Sequence, residues 1–138
     1  MSSPVAIPET MSLAVHAMAR LAAANGGTLR LPDLLVKPGS LDHLSKVMQR
    51  LVKAGFVRSR RGRNGGFHLA ARPSDIRLMD LWTALEGTFE SGACPLNGGA
   101  CGLPSCVFGT AMQDAAAVIR KYFSEHSLAD LGPLFSTN

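Results

Sequence analysis

Apolar side chains recur every three or four positions near the start of the chain. From residue 10 to residue 24 this spacing predicts a helix, and the pair Gly26-Gly27 stops it. A short extended piece at 28–31 and a brief helix at 33–36 follow. Residues 1–9, which include two prolines, predict a loose N-terminal arm.

A second apolar stripe predicts the longer helix of a helix-turn-helix. Ser40 is a favourable N-cap and Gly55 is a natural C-terminal stop, so this helix should run from residue 41 to residue 54. Two short helices joined by a glycine-containing turn, the second well capped, are typical of such a unit. The stripe consists of Leu41, Leu44, Val47, Met48 and Leu51.

A basic β-hairpin is predicted directly after this helix. Residues 56–60 and 67–70 have strand character, and the turn between them is rich in glycine and arginine. A helix-turn-helix followed at once by a basic hairpin is a winged helix. Arginine donors suit phosphate oxygens and guanine edges, so the hairpin is a candidate DNA contact. Its arginines are Arg58, Arg60, Arg61 and Arg63.

The polar face of the second helix is the other predicted DNA contact. Short polar side chains near a helix N-terminus can reach base edges and phosphates in the major groove. The candidates away from the apolar stripe are Ser40, Asp42, His43, Ser45, Lys46 and Gln49. The alternative, for this face and for the arginine run, is an ordinary solvated surface.

The C-terminal half predicts a short helix at 76–87 and a long helix at 107–126, separated by a loop. On the short helix the buried side is formed by Leu78, Leu81, Trp82 and Leu85. On the long helix the apolar positions step by three and four, which predicts a seam for a partner helix; packing against its own domain is the alternative. The seam consists of Phe108, Ala111, Met112, Ala115, Val118, Ile119, Tyr122 and Phe123.

Length and charge narrow the class of protein. The chain has 138 residues, room for one compact domain and one appended element, and its net charge of +4 permits an anionic partner without establishing one. The sequence contains no run of about 18 apolar residues, so no membrane span is expected. Its start lacks the basic and then apolar pattern of a secretory signal, so a cytoplasmic protein is expected. No nucleophile–base arrangement or phosphate-cradling motif indicates an enzyme.

Three cysteines, Cys94, Cys101 and Cys106, fall in one loop rich in glycine and proline. Clustered thiols in a reducing compartment more often indicate metal or redox chemistry than a disulfide scaffold. Such a loop can curl so that three thiolates converge on one soft metal centre. The spacing is neither that of zinc fingers nor that of ferredoxins, and free buried thiols or a redox disulfide stay open as alternatives.

The order of these features resembles the Rrf-two family of bacterial winged-helix regulators. The resemblance covers nearly all of residues 10–131, and its most specific parts are the cysteine loop and the stretch LVKAGFVRSRRGRNGGFHL. In layout the chain is similar to the iron–sulfur cluster regulator and the nitric-oxide-sensing repressor of that family. The resemblance implies a homodimer built on the long C-terminal helix, and a two-iron or four-iron cluster held by the three cysteines.

The cysteine loop also departs from the family pattern, which leaves the fourth cluster ligand open. Its first gap is one residue longer than usual and its second is one residue shorter. Gly109 stands where the iron–sulfur regulator has a histidine. Ser12 stands where the nitric-oxide sensor has an aspartate that reaches the partner's cluster.

The first helix offers candidates for that ligand. Glu9, Ser12, His16 and Arg20 follow one another at spacings of three and four, so they share a helix face. The resemblance implies that this face turns toward the partner's cysteine loop, where His16 or Glu9 could complete the coordination. A plain polar face is the alternative. Further options for the ligand are Asp114, His126, water or a small thiol.

The sequence therefore predicts a mainly α protein with a small β-hairpin. It divides into a winged helix-turn-helix at 10–87, a cysteine-rich cluster-binding loop at 88–106, and a dimerisation helix with a C-terminal tail at 107–138. The predicted function is a repressor that binds a roughly palindromic double-stranded DNA operator as a homodimer. An iron–sulfur cluster that senses redox state, nitric oxide or iron–sulfur status would modulate that binding. The alternative is a cluster-free regulator of the same fold that uses a thiol switch or a partner protein.

Overall fold

The fold is helical apart from one two-stranded antiparallel sheet, in a computed structural model that describes residues 3–90 and 101–135. The predicted fold class is thereby confirmed. The elements in chain order are α1 (Glu9–Ala23), α2 (Leu31–Leu34), α3 (Leu41–Lys53), β1 (Val57–Arg60), β2 (Gly66–Leu69), α4 (Leu78–Glu86), α5 (Ala111–Glu125) and α6 (Leu128–Leu131), with 3-10 turns at Pro73–Asp75 and Gly132–Phe135.

Helix α1 lies at the centre of the domain. It contacts α2, α3, α4, α6, β2 and the last 3-10 turn. Its residues Met11, Ala14, Ala17 and Met18 have no exposed surface. Alanine at two of these positions allows the neighbouring elements to approach the helix axis closely, so one short helix can bury a face against several partners.

Local capping decides where the second helix pair begins and ends. The predicted brief helix at 33–36 forms two residues earlier, because the Asp33 carboxylate accepts the backbone N–H of Arg30 at 3.2 Å and sets the first turn at Leu31. Helix α3 begins after Ser40, whose Oγ accepts the backbone N–H of His43 at 3.1 Å. It ends before Gly55, which has φ +89°.

The apolar stripe of α3 is buried in all but one position. Leu44, Val47, Met48 and Leu51 belong to the core, as predicted. Leu41 does not: it is 44% exposed. The prediction was wrong there because Leu41 lies at the edge of the stripe in the first turn of the helix.

Loss of the Ser40 cap should destabilise the protein. We expect Ser40→Ala to lower the free energy of unfolding by roughly 0.5–2 kcal/mol, since one backbone N–H of the first turn loses its acceptor. Denaturant unfolding followed by circular dichroism measures this. Ser124→Ala is the matched control and should change stability little, because Ser124 is exposed on α5 and its side chain makes no hydrogen bond to any residue that the structure describes. Equal unfolding midpoints for both variants would contradict the capping role.

Helix α5 is shorter than predicted and its seam is divided between two surroundings. The helix starts at Ala111 rather than 107 because Gly109, at φ +60°, breaks the helical backbone just before it. Phe123 packs against the domain's own Trp82 and Phe89. Val118 and Tyr122 point away from the core and are 70% and 46% exposed. The prediction that all these positions form one seam for a partner helix was therefore wrong in part, because Phe123 packs on its own domain.

Over the described residues, no helix combines the length and apolar character needed to cross a membrane.

Candidate nucleic-acid interface and cysteine loop

The outer face of α3 presents polar side chains next to its capped N-terminus. Asp42, Lys46 and Gln49 are exposed, and Ser45 is partly buried. They can lie on the outer face because the apolar stripe fixes the rotation of the helix against α1. The hydroxyl of Ser40 already accepts a hydrogen bond within the helix, so its first role here is the cap.

His43 differs from its neighbours on this face because its ring is held by contacts with other residues of the same chain. Its Nε2 lies 3.2 Å from the hydroxyl of Thr10, and its Nδ1 lies 3.5 Å from the carboxylate of Glu9. Both ring nitrogens thus face α1. These contacts dock the N-terminus of α3 onto the start of α1, and they leave His43 less available to DNA than the exposed side chains beside it.

The wing is a short antiparallel hairpin whose arginines are all exposed. Strands β1 and β2 pair with Arg58 opposite His68 and Arg60 opposite Gly66. Arg58 and Arg60 are two apart on one strand and therefore share a face, while Arg61 and Arg63 follow in the turn. In the described part of the chain no carboxylate pairs with any of the four guanidinium groups. They are free to meet an anionic partner.

Two glycines of the wing are required by close backbone approach. A Cβ on Gly65 would lie 2.4 Å from the carbonyl oxygen of Arg60, and one on Gly66 would lie 2.5 Å from that of Leu29. The second contact exists because Leu29 forms an antiparallel bridge with Phe67. The extended piece predicted at 28–31 therefore supports the base of the wing from one side.

The cysteine loop is described from residue 101 onward. Cys101 and Cys106 are exposed free thiols, and Cys94 lies outside the described residues. The backbone N–H of Phe108 donates to Cys106 Sγ at 3.4 Å, and that of Gly109 donates to the Cys106 carbonyl at 3.0 Å. Over residues 3–90 and 101–135, no three His, Cys, Asp or Glu side chains stand close enough together to hold a metal ion.

The chemistry of this loop fits an iron–sulfur cluster. Thiolates are the usual ligands of such clusters, and hydrogen bonds from backbone N–H groups to the ligating sulfur tune them. Cys106 has one such N–H already directed at its sulfur. The exposure of Cys101 and Cys106 allows both to turn toward one shared centre.

The first-helix face brings together the proposed extra ligands, Glu9 and His16. Both line an open cavity of about 480 Å³, together with Ser12 and Lys37. His16 Nδ1 lies 2.7 Å from the Ser12 carbonyl oxygen. With a proton on Nδ1 donated to that carbonyl, the lone pair of the neutral ring stands on Nε2, the nitrogen that a metal would bind.

Other side chains of this face and the remaining candidate ligands contact side chains of the same chain. Phe135 stands edge-on to the ring of His16, and its own ring lies 5.0 Å beneath the Arg20 guanidinium. Asp114 accepts a hydrogen bond from the Thr110 hydroxyl at 2.9 Å. His126, the residue just after α5, stacks on the ring of Tyr122 in the last turn of that helix. His16 and His126 each direct Nδ1 to the carbonyl four residues earlier, and of these two His16 lies on the first-helix face.

Several long-range contacts of these sites have no signal in the sequence. Arg30 donates to the carbonyl of Arg63 in the wing, and Arg50 on α3 donates to the carbonyl of Leu85 near the end of α4. Each pair is separated by more than thirty residues. Periodicity describes one element at a time and cannot identify such partners.

Comparison with known proteins places the chain in a family. The sequence model described as "Rrf2: Iron-dependent Transcriptional regulator" matches residues 7–133. The chain is similar to the HTH-type transcriptional regulator IscR of Aliivibrio salmonicida, with 31% identity over 91% of this chain and 71% of that protein. It is also similar to NsrR of Geobacillus kaustophilus, with 34% identity over 64% of this chain and 62% of that protein.

Solved structures give the same answer for the fold. CymR, the global cysteine regulator of B. subtilis, superimposes with a TM-score of 0.74 at 21% identity, covering 97% of this chain and 99% of that one. T. potens IscR superimposes with a TM-score of 0.66 at 26% identity, covering 93% and 86%. The predicted resemblance to the Rrf-two family is confirmed: the chain belongs to the Rrf2 family of DNA-binding transcriptional regulators.

Proposed function

We propose that this chain is a dimeric regulator that reads a roughly palindromic operator with α3 and the wing, and that an iron–sulfur cluster governs its affinity for that operator. One observation supports the DNA contact above all others. Four exposed arginines, which have no acidic partner among the described residues, lie on a hairpin that follows α3 directly in the chain, and α3 itself has a capped N-terminus and an exposed polar face. In winged-helix proteins these are the two elements that enter the grooves of the duplex.

Within this contact the two elements have different tasks. The exposed face of α3 suits the major groove, where Asp42, Lys46 and Gln49 can meet base edges. The wing arginines suit phosphates and a neighbouring groove, and Arg61 stands where the family places its base-reading wing arginine. The glycines around it carry no side chain, which allows the backbone to approach the duplex closely.

The dimer rests on the exposed side of α5. Val118 is left open by the chain's own domain, and Tyr122 remains 46% exposed although one face of its ring stacks on His126. A two-fold axis along this face would give two winged helices facing the same side of the duplex. Their half-sites should then lie about one helical turn apart, roughly 34–36 Å, or slightly more.

Cys94, Cys101 and Cys106 would hold the cluster, with His16 or Glu9 of the first helix as a ligand that is not cysteine. When bound, such a cluster supplies a centre that oxidants and nitric oxide attack. Three observations support the assignment: the exposed thiols, the N–H directed at Cys106 Sγ, and the oriented ring of His16. The family's description as iron-dependent agrees with it.

The start of the cysteine loop is tied to elements that could carry its state to the DNA contact. Phe89 packs between Trp82 of α4 and Phe123 of α5, and its carbonyl accepts a hydrogen bond from Arg120 at 3.0 Å. Arg50 then links the end of α4 to α3. A change in the order of the loop would shift α5 and α4 together, and with them the spacing of the two wings, by a population shift between two dimer geometries.

The experiment for the DNA contact is Arg61→Ala. We expect affinity for a duplex selected by the wild-type protein from a randomised pool to fall about 5- to 150-fold, which corresponds to roughly 1–3 kcal/mol for one lost base contact. Preference should also relax at one position of the site. Arg63→Ala should have a smaller effect. A salt-controlled binding titration measures both.

Arg72→Ala serves as the control, because Arg72 is also exposed but lies outside the hairpin in a surface ion pair with Asp75. It removes the same charge from the protein. If Arg61→Ala and Arg72→Ala bind the selected duplex with equal affinity, the assignment of the wing to the DNA is wrong. A wild-type protein that is colourless and free of iron after anaerobic purification would favour the cluster-free alternative, a thiol switch or a partner protein.

A further inference from the structure

We infer that Arg30 is a positioning residue for the wing: its guanidinium holds the wing tip in the place from which Arg61 reads the DNA. The inference rests on the proposed role of the wing and names a residue outside the wing on which that role depends. Arg30 belongs to the extended piece before α2, and no DNA contact was predicted for it.

The contact is a hydrogen bond across 33 residues of sequence. Arg30 Nη2 donates to the backbone carbonyl of Arg63 at 2.5 Å. Among the described residues, this is the one hydrogen bond between the tip, residues 61–65, and any residue outside the hairpin. Inside the tip, the backbone N–H of Gly65 donates to the Gly62 carbonyl at 2.9 Å.

Arg30 can act as a fixed support because its backbone is held on both sides. The preceding residue, Leu29, exchanges two backbone hydrogen bonds with Phe67 of β2, at 2.8 and 2.9 Å. The N–H of Arg30 itself donates to the Asp33 carboxylate at 3.2 Å, and the carbonyl of Arg30 accepts the N–H of Asp33 at 3.0 Å. The side chain therefore reaches the wing tip from an anchored point at the start of α2.

The wing tip needs such a support. A two-stranded hairpin alone is at best marginally stable in water, and this one pairs only four residues on each strand. Gly62 in its turn has φ +103°, and glycine has no Cβ to restrain its backbone. A side chain that fixes the carbonyl next to Gly62 reduces the arrangements of Arg61 and Arg63 before DNA is bound, so less conformational entropy is lost on binding.

A second possible role for Arg30, direct contact with a phosphate, makes different predictions. A phosphate contact depends on charge, weakens binding on every sequence alike, and contributes to the salt dependence of affinity. A positioning contact depends on the planar, multi-donor guanidinium, which lysine does not reproduce. It affects the sequence that Arg61 reads, and it loses its effect when Arg61 is absent.

The test compares Arg30→Lys with the wild-type protein on two duplexes, the one selected from a randomised pool and an unrelated one of equal length. We expect Arg30→Lys to weaken binding of the selected duplex about three- to ten-fold. Binding of the unrelated duplex and the slope of affinity against salt should not change. In an Arg61→Ala background, Arg30→Lys should have almost no further effect, since residues that act together are not additive.

Arg72→Lys is the matched control, an Arg-to-Lys change on the same domain outside the wing, and thermal unfolding shows that each variant folds. If Arg61→Ala weakens binding but Arg30→Lys does not, or if their two losses add in full, the positioning role is wrong while the wing remains the DNA contact. If Arg61→Ala itself leaves binding unchanged, the wing assignment fails and this inference fails with it.

Discussion

Serine at any one of Cys94, Cys101 and Cys106 should abolish the visible absorbance of the anaerobically purified protein, together with its iron and acid-labile sulfide. The physical reason is the small number of ligands. The chain contains three cysteines, so one subunit cannot form an all-thiolate site. Loss of one thiolate leaves two sulfur ligands for a cluster, and a serine hydroxyl is a poor substitute for a soft thiolate.

The fold should survive these substitutions. Cys101 and Cys106 are exposed and carry no core contacts, so their variants should keep the wild-type circular dichroism spectrum. Ser105→Ala, next to Cys106 in the same loop, is the matched control and should retain full iron content. If all three cysteine variants keep wild-type iron and sulfide, the cluster assignment is wrong. If Ser105→Ala also loses its iron, the loop itself and not the thiolates determines the loss.

The fourth ligand is tested in the same preparations. We expect His16→Ala to change the visible spectrum or to speed loss of the cluster in air, because the contact of Nδ1 with the Ser12 carbonyl leaves Nε2 as a donor for a metal. Glu9→Ala tests the other candidate on that face. A non-cysteine ligand is held more weakly than a thiolate and exchanges more readily, which suits a sensor. A normal spectrum for His16→Ala, with the cysteine variants colourless, would remove His16 and leave the three thiolates in place.

The elements that could be predicted from the sequence are those fixed by local chemistry. Helix α3 has a strong apolar period, a serine N-cap and a glycine stop, and these agree with one another. The wing follows from two short β-prone runs around a turn that needs glycine. In both cases the local preferences agree on which element forms, so its presence can be predicted without knowledge of distant contacts.

The features that could not be predicted depend on contacts between distant segments. The ring of His43 turns toward Glu9 and Thr10, which lie more than thirty residues earlier in the chain. The apolar positions of α5 looked like one seam because periodicity records that a residue is apolar and not what covers it. Phe123 is covered by Trp82 of its own domain, while Val118 is left open.

That open position gives the second large expected effect, for Val118→Asp. We expect the variant to be monomeric in light scattering at micromolar concentration. Val118 is 70% exposed in the single chain, so the carboxylate costs little in the monomer, but it would be buried without a partner in a two-fold interface. A monomer binds one half-site at a time. Affinity for the full selected duplex should therefore fall roughly 100- to 10,000-fold, the range expected when linked binding is lost.

Ala117→Asp makes this test specific to the exposed apolar face. Ala117 is exposed and adjacent in sequence, so the same charge enters the same turn of α5, but about 100° around the helix from Val118. We expect it to remain dimeric and to bind the selected duplex with nearly wild-type affinity. If both variants dissociate, α5 carries the interface on a wider surface than Val118 and Tyr122. If Val118→Asp stays dimeric, or if the wild-type protein is monomeric in both its iron-loaded and iron-free forms, the proposed interface on this helix is wrong, and the two wings must be held on the DNA in some other way.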